Sequence, residues 1–92
     1  MLANEIVSQI TLDSEGPISL PLGPLAAFNL IVLKVMGEPV TVRLTSASGT
    51  EQAFPVDTFF SLFSRSEDIT AIDVTRTPGA TTSIQYFLGE RA

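Results

Sequence analysis

Between Asn29 and Ser46 the chain reads NLIVLKVMGEPVTVRLTS, two strand-like runs separated by Gly37-Glu38. A two-residue loop with glycine first is the signature of a type II′ turn, because glycine accepts the positive φ of that position and the turn's twist suits the flanking strands. With Met36 opposite Pro39, the pairs that follow are Val35 with Val40, Leu33 with Val42 and Ile31 with Leu44. All of these are apolar and share one face of the ribbon. The other face is mixed, with Lys34 against Thr41, Val32 against Arg43 and Leu30 against Thr45. A slip of one residue would bury Lys34 and Arg43, so the pattern admits one register. The stretch predicts an antiparallel hairpin with a single core face.

A ribbon of this kind must be covered, and the rest of the chain supplies more strands. Ile6, Ile10 and Leu12 share one face with Ser8, and Glu5, Gln9 and Thr11 share the other with Val7, an imperfect alternation suited to an edge strand. Asp13 to Pro17 reads as a turn. Ile18, Leu20 and Leu22 alternate after it, but Pro17 and Pro21 cannot donate to a ladder, which again points to an edge. Gly23-Pro24 breaks the chain, and Leu25-Ala26-Ala27 reads as a helical turn. After the hairpin, Glu51 to Val56 is a short strand interrupted by Pro55. Ile69 to Arg76 and Thr81 to Leu88 form a second strand pair around Pro78-Gly79. Setting Val74 against Ile84 and Ile72 against Tyr86 sorts the apolar residues to one side and requires an odd loop, Pro78-Gly79-Ala80, with a bulge. Gly89 ends the last strand before a polar tail.

One segment departs from this rhythm. VDTFFSLFSRSED, from Val56 to Asp68, crowds Phe59, Phe60, Leu62 and Phe63 together, with Asp57 placed to cap one helical turn. The aromatics suit either a plug at the end of a sandwich or a protein-docking patch. Composition bears on that choice. The chain has 92 residues, enough for one domain over 1–92, and a domain of this size buries only about 60–65% of its unfolded surface. Yet 45% of the residues are hydrophobic and only 16% charged, where roughly 25% charged is usual. That is more apolar surface than a thin core hides, and it predicts an interface between copies or with another protein, through Leu30 and Val32 together with Phe59, Phe60 and Phe63.

The residue types present also exclude chemistry. The chain has no histidine and no cysteine, so neither a Ser-His-Asp nor a Cys-His system can be assembled, nor a zinc site of nitrogen and sulfur ligands. Glu67, Asp68 and Asp73 are close in sequence, but acids at the start of a strand are ordinarily solvated, and no carboxylate pair for hydrolysis is expected. Asp13-Ser14-Glu15-Gly16 has the opening of a calcium loop without its further oxygen ligands, and reads as turn chemistry. No catalytic residue, metal or cofactor is expected. A net charge of −5 disfavours phosphate backbones and anionic lipid, so nucleic acid and membrane are not expected partners. The first residues lack the basic and apolar regions of a signal peptide, and the longest apolar run, Leu30 to Leu33, is far too short to span a bilayer. With no Trp and with its one Tyr, Tyr86, facing inward, the chain lacks the aromatic platform of a glycan-binding module.

The order of parts is a first strand, a Pro-punctuated ISLPLGPL stretch, the hairpin, the PVDTFFSLFS segment and ITAIDVTRTPGATTSIQYFLGERA. It resembles small β-sandwich virion proteins of tailed bacteriophages, most of all capsid decoration, or cement, proteins. In that group a closing strand that follows a short turn commonly ends in Leu-Gly and a charged residue, here Tyr86-Phe87-Leu88-Gly89-Glu90. The resemblance covers most of the chain. It implies a non-enzymatic structural protein that self-associates as a homodimer or homotrimer and binds the major capsid protein of a phage head, assembled in the host cytoplasm and located on the capsid surface. A tail or fibre module and a small carbohydrate-binding module are the alternatives. Together these readings predict an all-β, antiparallel, jelly-roll-like sandwich of seven or eight strands.

Overall fold

A computed structural model of the chain describes every residue except Met1, Asp13, Glu15, Pro24, Arg65, Ser66, Ala80 and Ala92, and only the backbone of residues 2–4 and 91. Eight strands follow one another: β1 (Leu2–Leu12), β2 (Ile18–Ser19), β3 (Leu30–Gly37), β4 (Val40–Ser46), β5 (Glu51–Val56), β6 (Phe59–Phe63), β7 (Ile69–Arg76) and β8 (Thr82–Arg91). They form two antiparallel sheets, sheet I in the order β1-β8-β3-β6 and sheet II in the order β2-β7-β4-β5. The pairs β1 with β8, β2 with β7, β3 with β6 and β4 with β5 are nested, as if a long four-layered hairpin had been rolled up. This is the jelly-roll order expected from the sequence. No helix occurs among the described residues.

The inner faces carry the alternation read from the sequence. Across sheet I, Ile6, Leu88, Ile31 and Leu62 form one register row, and Ile10, Ile84 and Val35 another. Across sheet II, Ile18, Val74, Val42 and Phe54 form the matching row. These rows meet in one core, in which Phe28, Ile31, Leu33, Val42, Val74, Ile84 and Leu88 are fully buried.

The expected hairpin over Asn29 to Ser46 is not formed. β3 hydrogen-bonds to β8 and β6, and β4 to β7 and β5, so Gly37-Glu38-Pro39 carries the chain from one sheet to the other. All six residues assigned to its core face are buried even so, from Ile31 at 0% exposed to Val35 at 5%. In this arch they meet across the sandwich through side chains instead of along a ladder. Gly37 has φ of 127°, and a Cβ there would lie 2.6 Å from the Thr81 carbonyl oxygen, so glycine is needed both for the conformation and for the close approach to β8. The second expected pair fails in the same way. Val74 pairs with Val42 and Ile18, and Ile84 with Val35 and Ile10, which puts β7 and β8 in different sheets, while Ala80 of the expected bulge lies outside the described residues. Of consecutive strands only β4 and β5 pair, through a turn closed by Ser46 and Thr50.

Two local expectations are also corrected. Leu25-Ala26-Ala27 makes no helical turn, because Leu25 and Phe28 are drawn into the core and Phe28 bridges to Ile69. Asp57 caps no helix, because the chain extends at once into β6, whose ladder with β3 fixes Leu33 opposite Phe60.

The outer face of sheet I as a candidate docking site

β6 alternates exposed and half-buried along Phe59–Phe63, so its aromatics divide between the two sides of the sheet. Phe60 turns inward with Leu62, packs on the core, and sets its ring 5.0 Å from that of Phe54 at the open side of the sandwich. The expectation that Phe60 belongs to an exposed patch is therefore corrected. Phe59 and Phe63 turn outward and are 62% and 51% exposed.

The register then brings the other expected residues beside them. Leu30 lies opposite Phe63, and Lys34 opposite Phe59, with Val32 between them opposite Ser61. On the other side of β3, Val32 faces Phe87 of β8, and Phe87 faces Val7 of β1. Leu30, Val32, Phe59 and Phe63 thus share one outer face with Phe87 and with Val7, which is 77% exposed. A shallow depression runs along the middle of this face, bounded by Val7, Gln9, Val32, Lys34, Gln85 and Phe87. Sequence reasoning missed Val7 and Phe87. Val7 was visible as the residue that spoils the alternation of the first strand, and Phe87 as an aromatic directly after the inward Tyr86.

Polar contacts border the apolar strip on the β1 side. Gln85 Nε2 donates to Gln9 Oε1 at 3.3 Å, and the Thr11 and Ser83 hydroxyls lie 3.2 Å apart. Among the described side chains of the face, Glu5 and Lys34 carry the charge.

The acids are used elsewhere. Asp68 accepts a hydrogen bond from Asn29 Nδ2 at 2.8 Å, and Asp73 accepts one from Ser19 Oγ at 2.8 Å. Both are spent on tying segments together, and no cluster of acidic residues fit to hold a metal occurs among the described residues. Asp13 and Glu15 lie outside them. Asn29, which the sequence did not mark, is 1% exposed. Its amide donates to the Gly89 carbonyl, its own carbonyl accepts from the Ser64 amide, and its side chain reaches Asp68, so it fixes where β3 meets its neighbours. Tyr86 is buried as expected, its hydroxyl donating to the Pro21 carbonyl at 3.0 Å, and offers no stacking platform. A smaller recess between β5 and β6 is lined by Leu44, Gln52, Leu62, Ser64, Glu67 and Ile69. No helix among the described residues is long and apolar enough to cross a membrane.

Compared with models of known protein families and with curated proteins, the sequence matches none. Function must therefore be argued from the face itself. A sheet surface with Val7, Phe59 and Phe63 open to water is of the kind suited to burial against another protein surface.

Proposed function

We propose that this chain is a non-enzymatic structural protein that docks onto a protein shell through the outer face of sheet I, as a capsid decoration protein of a tailed phage does. The observation that carries the reading is the gathering of Leu30, Val32, Phe59, Phe63, Val7 and Phe87 on one side of one sheet. The jelly-roll order and the resemblance of the chain to phage virion proteins support a place on the capsid surface, with the major capsid protein as partner. An apolar strip with three phenylalanines, bordered on its β1 side by glutamine, threonine and serine, has the make-up of an interface core with a polar rim.

The test is binding to heads assembled from the major capsid protein of the same genome. Phe59→Glu with Phe63→Glu should abolish occupancy, whereas Thr41→Glu with Thr75→Glu, on the opposite side of the sandwich, should leave it unchanged. Wild-type binding should fall little between about 0.05 and 0.5 M salt, because apolar contact is not screened. If the double phenylalanine variant binds as wild type does, the docking face is wrong. Binding to isolated glycans on an array, lost in the same variant, would favour the carbohydrate-binding alternative instead.

A further inference from the structure

The four sheet edges differ in how they are guarded. β2 is two residues long and stands between Pro17 and Pro21. β5 contains Pro55, which has no N–H to offer, and β6 is five residues long. β1 is the exception. It runs for 11 residues, Leu2–Leu12, at the margin of sheet I, and its sequence LANEIVSQITL contains no proline, lysine or arginine. Among the described residues its only backbone ladder is the one with β8, so the other side of the strand presents a row of unpaired N–H and C=O groups. Proteins normally blunt such an edge, because it is a template for another strand.

We infer that β1 is the seam between two copies of this chain, joined antiparallel about a two-fold axis at Ser8 so that their two copies of sheet I become one continuous sheet. Three observations fix that axis. The ladder of β1 is irregular between Leu2 and Asn4, which leaves 4–12 as its regular part, and Ser8 is the midpoint of 4–12. A two-fold there sets Ile6 against Ile10 of the second copy. Both are only partly buried within one chain, so the seam completes their cover and extends the inner apolar row. On the outer side Val7 meets Gln9 and Glu5 meets Thr11 of the second copy. The two Glu5 side chains, the charged ones within 5–12, then stand roughly 20 Å apart at ~3.3 Å per residue, beyond a Debye length. A two-fold at Glu5 would oppose them directly. Small hydroxyls at the axis, from Ser8 and its mate, complete an isologous contact.

A nine-residue seam is about 30 Å long and buries well below the ~800 Å² per partner of a standard interface, so the dimer is reversible and concentration-dependent. The inference is independent of shell docking, which uses the face and leaves this edge free. It also gives that face a consequence, since the apolar strips of two copies then lie on the same side of one sheet.

The chain has no native cysteine, so single cysteines report the geometry cleanly. Directly opposed antiparallel residues have Cα atoms about 4.5–5.5 Å apart, within disulfide range. Ser8→Cys should therefore crosslink to a dimer under mild oxidation, at least about tenfold faster than Thr11→Cys, whose counterpart lies six residues along the seam. In wild type, hydrogen exchange of the β1 amides should slow as protein concentration rises into the high micromolar range, and Ser8→Lys should remove that dependence while keeping the fold. Equal crosslinking at the two positions would overturn the inference, as would β1 exchange independent of concentration. A dimer that survives Ser8→Lys but is lost in Phe59→Glu with Phe63→Glu would place the contact on the face instead, and overturn it equally. Failure of shell binding with crosslinking at Ser8 intact would sink only the docking reading.

Discussion

Sheet II turns Thr41, Arg43 and Thr45 of β4, Glu51 and Ala53 of β5 and Thr75 of β7 to solvent, whereas the same side of sheet I turns out Val7, Phe87, Leu30, Val32, Phe59 and Phe63. Both sheets have four antiparallel strands and share one core, so strand geometry does not explain the contrast. Sheet II behaves as a layer with one wet side, with Arg43 opposite Asp73 in the register and 3.9 Å from Glu51. Strands β3 and β6 of sheet I carry apolar residues on both sides, interrupted on the outer side by Lys34 and Ser61, a composition closer to that of strands covered on both faces. A two-layer sandwich offers them only one cover. The exposed large apolar side chains Val7, Phe59 and Phe63 therefore gather on one surface, the one proposed to dock.

Two paired comparisons and one single substitution measure the contrast in stability, from largest effect to smallest. Val42 is 0% exposed on the inner side of sheet II and Thr41 beside it is exposed. Val42→Asp should cost upwards of ~3 kcal/mol in denaturant unfolding by burying an unpaired charge, and Thr41→Asp less than about 1. Equal losses would sink the register that sets Val42 inward and Thr41 outward. Next, Phe60→Ala should cost roughly 2 kcal/mol, because its ring packs on the core and against Phe54, and Phe59→Ala should stay within about 0.5 kcal/mol in the isolated protein. A costly Phe59→Ala would make that ring part of the core and remove it from the docking face. Smallest is Glu51→Ala. The Arg43 and Glu51 side chains are 54% and 57% exposed, so breaking their contact should change stability by less than about 0.5 kcal/mol, and still less in high salt.

The candidate face was only partly legible. Leu30 and Val32 stood out as apolar residues on the wrong side of an alternating strand, and β3 does present them outward. In FFSLF the alternation could not be read, because phenylalanine occupies both sides of the strand, and the inward turn of Phe60 depends on its place opposite Leu33. Asn29 gave no signal, since its importance lies in contacts with Asp68, Gly89 and Ser64, all far along the chain.

By itself the sequence determined that the domain is all-β, close to where β3, β4, β5 and β7 begin and end, and, outside β6, which side of the strands faces the core. Ile31, Leu33, Val35, Val40, Val42 and Leu44 were assigned to that core and are buried in it. Only the tertiary structure decided which strands are neighbours. Period-two alternation specifies a face and a register parity, and a glycine turn specifies a reversal, but a hairpin and an arch satisfy both equally well. In a hairpin the two apolar rows lie side by side along one ladder, and in an arch they oppose each other across the core. The choice falls to β8 and β7, which take the hydrogen bonds of β3 and β4 and thereby hold the two halves of the organising stretch in opposite sheets.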